Sequence, residues 1–295
     1  MINHNKLSLT FGARFALFCC FTLIGFIICG FFSFFATSIW GINTLSLRIS
    51  TIIQDIILFI APAIISSIFI TRLPADFLQL RKFPSLKFIT LTLLIIVLSI
   101  PLMNFIVHCN QSITFPDALK NFESTLISME LENQKNINIL LGFDSTSSII
   151  NLIISILIVG VLTGLSEELF FRGALQNIFR TKPMSIHSAI WITAVIFSSL
   201  HFQFYGFIPR VLLGAFFGYL ALWSGSLWLP IIAHAFNNTM VVISTWAINE
   251  NVKNFDINKI GTEFTIESYI LIAFSAIATF LGILILYRHS NLISK

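Results

Sequence analysis

Between Phe15 and Leu47 the chain carries no charged residue, and charge-free or nearly charge-free windows recur along most of its 295 residues. A helix needs about 20 predominantly apolar residues to cross roughly 30 Å of hydrocarbon, and in lipid every backbone polar group must find its partner within the protein. Such a pattern leaves few architectures. The windows predict spanning helices over about 12–37, 51–71, 88–108, 147–180, 186–203, 207–223, 226–247 and 267–287. The expected fold is all-α, a polytopic membrane protein with about eight transmembrane helices forming a single membrane domain over 1–295. Composition agrees, with 56% hydrophobic and only 10% charged residues against roughly 25% charged in soluble domains. The first window follows Lys6 and Arg14 as a signal peptide's would, but it is too long for one and more spans follow, so it is read as a retained anchor. The second window carries Asp55 near one end.

Loop charges set an orientation. Arg72, Arg81, Lys82 and Lys87 lie between spans two and three, Arg180 and Lys182 follow span four, and Arg288 and Lys295 end the chain. The connections 109–146 and 250–267 hold more acids than bases. The excess of Lys and Arg on cytoplasmic loops places the basic connections and both termini in the cytoplasm. Segment 109–146 is then the one sizeable external loop, and its mix of polar and apolar residues suits an interfacial helix. The net charge of +4 is scattered, with no basic face or nucleic-acid motif, so membrane lipid is an expected partner and nucleic acid is not. Cys19, Cys20, Cys29 and Cys109 form no C-x-x-C pair, and neither a disulfide framework nor a cysteine zinc site is expected.

Most acidic residues fall in loops or near span ends, but those of LSEELFFRGAL, Leu165 to Leu175, do not. Glu167 and Glu168 lie inside the fourth span if its helix continues to about Arg180. An ionisable group at mid-bilayer costs about 2.5 kcal/mol or more and points to function by default. The plainer alternative ends the helix at Ser166 and lays EELFFRGALQNIFR along the interface. Depth favours burial. With a hairpin around Lys182–Ile186, Glu167 and His201 each lie about 15 residues from the turn, roughly 20 Å from the same surface. His234, roughly nine residues beyond a turn at Gly225 on that side, lies about 13 Å deep.

Three ionisable positions from three helices therefore converge. Glu168 and Arg172 stand at i and i+4 and can pair, leaving Glu167 as the free carboxylate. His234 and Asn238 share that interval, as do Phe197 and His201, where the Phe offers an apolar wall beside the imidazole. Taken singly, each has a simpler explanation: an intramembrane His or Asn bonds neighbouring helices, and Gly214-x-x-x-Gly218 permits close helix contact. His4, His108, His187 and His289 receive no role. The combination of Glu, His, His and Asn is what suggests chemistry.

A carboxylate beside an imidazole can polarise water, the carboxylate taking a proton as the oxygen attacks a carbonyl carbon. A second His with an Asn can donate to the oxyanion that develops. Peptide hydrolysis needs those two functions and nothing covalent, and no G-x-S-x-G elbow is present. Glu167, His201 and His234 also make a two-His, one-carboxylate set suited to zinc, with a position left for water, although H-E-x-x-H is absent. Metal-free general-base catalysis with no required cofactor is favoured, and zinc is the alternative. Two other classes compete. One is a proton-coupled transporter with Glu167 and His201 as relay, disfavoured because no paired, interrupted repeat is found. The other is a non-catalytic immunity or scaffold protein that uses the cavity only to bind.

In chain order, Glu167-Glu168-x-x-x-Arg172-Gly173, Phe197-x-x-x-His201 and His234-x-x-x-Asn238 resemble the CPBP family of intramembrane proteases. That family comprises the CAAX prenyl endopeptidases and bacterial bacteriocin-processing or immunity homologues. LLGAFFGYLALWSGSLWLPIIAHAFNN is similar to the family's glycine helix, turn and final histidine helix. The likeness covers about 150–240, within a catalytic core of about 147–247. It implies an eight-helix membrane endopeptidase whose active site opens toward the cytoplasm. Glu167 would activate water, His201 would help to hold it, His234 and Asn238 would stabilise the oxyanion, and Glu168 and Arg172 would support the site, with Phe197 beside His201. Both glutamate and metal mechanisms have been described for the family. The implied substrate is a peptide or membrane-associated protein, lipidated in the relatives that cut C-a-a-X ends. The implied location is a bacterial inner membrane.

Overall fold

The computed structural model describes residues 9–143, 148–180, 184–252, 256–263 and 265–293. Readings that rest on His4, Lys6, Lys182 and Lys295 lie outside the described residues. The helices are α1 (Phe11–Trp40), α2 (Thr44–Ile70), α3 (Leu86–Gln111), α4 (Lys120–Leu141), α5 (Ser148–Phe179), α6 (Ile186–Ser199), α7 (Phe207–Ser224), α8 (Trp228–Asn249) and α9 (Ile266–Ile293). No strand occurs among the described residues. Seven of these helices are long and apolar enough to cross a membrane, and α6 is a shorter apolar helix beside them. The chain is a polytopic all-α membrane protein.

Helix ends explain where the spans depart from expectation. Asn43 caps α2 by accepting from the Ser46 amide at 3.0 Å, while Ser46 Oγ accepts from the Asn43 amide at 3.0 Å. This reciprocal box satisfies two amides that a helix start leaves unpaired. The second span therefore begins at Thr44 rather than near 51, and Asp55 moves from its end to its interior, where it is 1% exposed. At α6 the opposite happens. The helix stops at Ser199, short of the expected 203, and Phe202 takes a left-handed conformation with φ of 52°. His201 thus sits just past a helix end.

The helices pack as α3 with α9, α6 with α7, and α5 with α8, while α1 lies against α2. Leu23, Phe26, Phe31 and Phe34 of α1 stay exposed, as lipid-facing residues do. On α5, every residue from Leu169 to Leu175 is buried, so this stretch of the helix is enclosed on all sides. One end of the bundle gathers the loop after α2, the end of α5 and the turn at Gly225. There the Leu227 amide donates to Gln79 O at 2.9 Å, Trp228 Nε1 to Leu80 O at 2.8 Å and Asn177 Nδ2 to Phe77 O at 2.8 Å. The opposite end gathers the end of α3, α4 and the segment after α6. Asn110 bridges to Phe204 O at 2.9 Å and to the Ile208 amide at 3.0 Å, and Thr44 Oγ1 donates to Ile139 O at 2.7 Å. The first end carries Arg72, Arg81, Lys82, Lys87 and Arg180, and the second is rich in acids.

Candidate active site

Glu167 and Glu168 sit on the only α-helical turns of α5 between two π-helical segments, Ile156–Leu162 and Leu169–Leu175. Each wider turn rotates the side chains that follow it, and such bulges recur at functional sites. Close contact with α8 sets the distance across the site. A Cβ on Gly164 would lie 2.9 Å from the Ala235 amide nitrogen, and one on Gly160 would lie 2.5 Å from Thr239 Oγ1. These two glycines form a small-residue stripe that brings His234 to the glutamates.

The glutamates then divide. Glu168 is fully buried, and its Oε1 accepts from Arg172 Nη1 at 2.6 Å and from His234 Nδ1 at 2.8 Å. Breaking a buried pair of this kind costs about 3–5 kcal/mol, because the remaining charge is left uncompensated. Arg172 also donates through Nη2 to Gly214 O at 2.8 Å, and its guanidinium lies 4.6 Å from the Phe197 ring centroid. A Cβ at Gly214 would stand 3.2 Å from that Nη2, so the missing side chain is what lets Arg172 reach the carbonyl. The expected pairing of Glu168 with Arg172 is present, and His234 joins it.

Because a carboxylate only accepts, His234 Nδ1 carries the proton that it shares with Glu168. Nε2 is thereby aimed at Glu167, 3.6 Å from its Oε2. The imidazole is stacked on Phe217, with centroids 5.0 Å apart, and meets Phe197 edge-on at 5.9 Å. His201 is fixed by related logic. Its Nδ1 donates to Phe197 O at 2.8 Å, one of the carbonyls that the end of α6 leaves without an amide partner. The side chain caps its own helix and leaves Nε2 as the free nitrogen. Phe197 therefore touches His201, His234 and Arg172 together.

Glu167 and His201 line one cavity of about 460 Å³, shared with Ser50 and Gln54 of α2 and with Asn133 and Asn136 of α4. Asn238 stands elsewhere. Its Nδ2 donates to Val159 O at 3.2 Å and its Oδ1 accepts from Asn237 at 3.4 Å, so it ties α8 to α5 and does not line that cavity. The structure thus joins Glu167, Glu168, Arg172, Phe197, His201 and His234 in one cluster, with Asn238 at its margin. Among the described residues no three His, Cys, Asp or Glu side chains stand close enough to hold a metal ion. The zinc set of Glu167, His201 and His234 is not assembled in this arrangement.

One residue escaped the sequence reading. Asp55 accepts from Ser166 Oγ at 2.7 Å and from Thr163 Oγ1 at 3.0 Å. It pins α2 to the turn immediately before Glu167 and adds a third buried carboxylate. The signal that would have found it is the N-cap pair Asn43 and Ser46, which lengthens α2. The cavity also sets two expectations against each other. It is lined by α4, within the segment expected outside, while the resemblance implies an opening to the cytoplasm.

Residues 149–240 match the family model described as type II CAAX prenyl endopeptidase Rce1-like. Neither the curated proteins nor the solved structures contain a significant match. The matched segment holds every residue of the cluster above. The three motifs lie in order within residues 149–240, the part of the chain that matches, and their side chains converge inside the bundle, so that this part is similar to the CPBP family of intramembrane proteases.

Proposed function

We propose that this protein is an endopeptidase that cuts a peptide bond of a membrane-associated protein or peptide by attack of a water activated at Glu167. The observation that carries this is a division of labour between neighbouring glutamates. Glu168 is consumed by Arg172 and His234, whereas Glu167 faces the cavity that it shares with His201. Glu167 takes a proton from water as the oxygen bonds to the peptide carbonyl carbon. His201 Nε2 holds that water in line. His234, oriented by Glu168 through Nδ1, turns Nε2 toward the oxyanion. As the C–N bond breaks, Glu167 returns its proton to the leaving amine, giving one carboxyl and one amino terminus. Asn238 acts by holding α8 against α5, because the amide that would serve the oxyanion is bonded to Val159 O.

A substrate search tests this. Membrane proteomes from cells expressing the protein or its Glu167→Gln variant are compared for a peptide whose processing stops. Loss of a specific cleavage in Glu167→Gln is expected, and identical processing would overturn the mechanism. Cleavage by purified protein after chelation and metal analysis is expected to persist, and loss restored by zinc would replace the metal-free version. Persistence of a bacteriocin-immunity phenotype in Glu167→Gln would favour the non-catalytic binding role instead.

A further inference from the structure

The described Lys and Arg residues of the loops and of the span ends divide between the two ends of the bundle. Arg72, Arg81, Lys82, Lys87 and Arg180 lie at the end built around the Gly225 turn, and α9 brings Arg288 there as well, with His289 against Phe88 at a centroid distance of 5.1 Å. The other end holds Lys120, Lys135 and Lys259 amid Asp117, Glu123, Glu130, Glu132, Glu250, Asp256 and Glu263. Arg48 and Arg210 lie near that second end but inside spans, where the first caps α4 and the second donates to Gln203 Oε1 at 2.5 Å. Translocation retains loops rich in Lys and Arg on the cytoplasmic side. The Gly225 end is therefore cytoplasmic.

The catalytic cavity belongs to the other end. Its rim is Asn133, Asn136 and Leu140 of α4 with Gln203 after α6. The elements beside it, Asn110 and Phe204, are bonded to each other on that acidic side. Toward the basic side the site is closed by the buried stretch Leu169–Phe179 and the Arg172 cluster. The short α6 produces this asymmetry. At 1.5 Å per residue its 14 residues rise about 21 Å, less than a bilayer core, so a recess remains beyond His201 and α4 roofs it.

From this we infer that the cavity opens on the extracytoplasmic face, and that the substrate is a peptide segment presented from that side: an exported peptide or an external stretch of a membrane protein. The substrate class rests on the peptidase function proposed above, whereas the direction of opening does not.

Thiol labelling separates the two. Asn136→Cys, Gln203→Cys and Arg81→Cys are each made in a chain with the four native cysteines replaced, and the protein is prepared in right-side-out and inverted membrane vesicles. A membrane-impermeant sulfonated maleimide is expected to label Asn136→Cys and Gln203→Cys at least tenfold more in right-side-out vesicles, and Arg81→Cys at least tenfold more in inverted ones. The reverse pattern, or equal labelling in both preparations, overturns the inference. Should the cysteine-free chain fail to accumulate, native Cys109, exposed at the acidic end of α3, gives the same readout, since Cys19 and Cys20 lie within the first span. The labelling is independent of catalysis, so a protein that labels as expected yet cuts nothing would refute the peptidase and leave the orientation standing.

Discussion

Arg48 and Arg172 are both buried inside spanning helices of this protein, and they are satisfied in different ways. Arg48 on α2 donates to Leu140 O at 3.0 Å and Leu141 O at 2.8 Å, the last carbonyls of α4, and to Asn151 Oδ1 at 2.9 Å and Ser155 Oγ at 3.3 Å on α5. Its partners are dipoles, including the negative end of a helix. Arg172 instead meets a carboxylate, and through Glu168 it orients His234 toward Glu167. Burial of a charge in a membrane marks both places, yet only one leads to a reactive group. Arg48 fastens a peripheral helix over the cavity, and Arg172 fixes the geometry of the proposed chemistry.

The largest effect expected from breaking this contrast is at Arg172. Arg172→Met leaves Glu168 buried without its cation, and a melt in detergent should show a loss of about 3–5 kcal/mol together with loss of cleavage. Unchanged melting would mean that Glu168 is held by other groups. Arg48→Met removes donors from several oxygens but strands no buried charge, so about 1–3 kcal/mol is expected. Limited proteolysis should then cut α4 faster while His234 keeps its partner. Equal proteolysis of variant and parent would show that Arg48 is not what docks α4. Asn238→Ala should be the mildest, roughly 0.6 kcal/mol as for other interhelical bonds in membranes, with cleavage reduced but detectable. Complete loss of cleavage without destabilisation would return Asn238 to the oxyanion.

The contrast also shows what the sequence could reveal. Spans were legible because lipid tolerates so few charges, and Glu168 with Arg172 was legible because i and i+4 share a helix face. Arg48 was not, since its partners lie about 90 or more residues away and half of them are backbone carbonyls, which no side-chain pattern announces. Asp55 was obscured by a helix start placed seven residues late, past the Asn43 cap. The π-helical segments around Glu167 leave no local trace in the sequence, and in the first of them Val159 O accepts from Asn238 of another helix. The Gly160 and Gly164 stripe was visible in the sequence, but only the structure shows that it faces Ala235 and Thr239.

The most direct test places the two glutamates side by side. Glu167→Gln and Glu168→Gln are purified and compared for thermal stability and for cleavage of the substrate found by proteome comparison. Glu167→Gln should melt with the parent protein and cut nothing detectable, while Glu168→Gln should lose stability because Arg172 is left buried without its carboxylate. Wild-type cleavage by a folded Glu167→Gln protein would contradict the account.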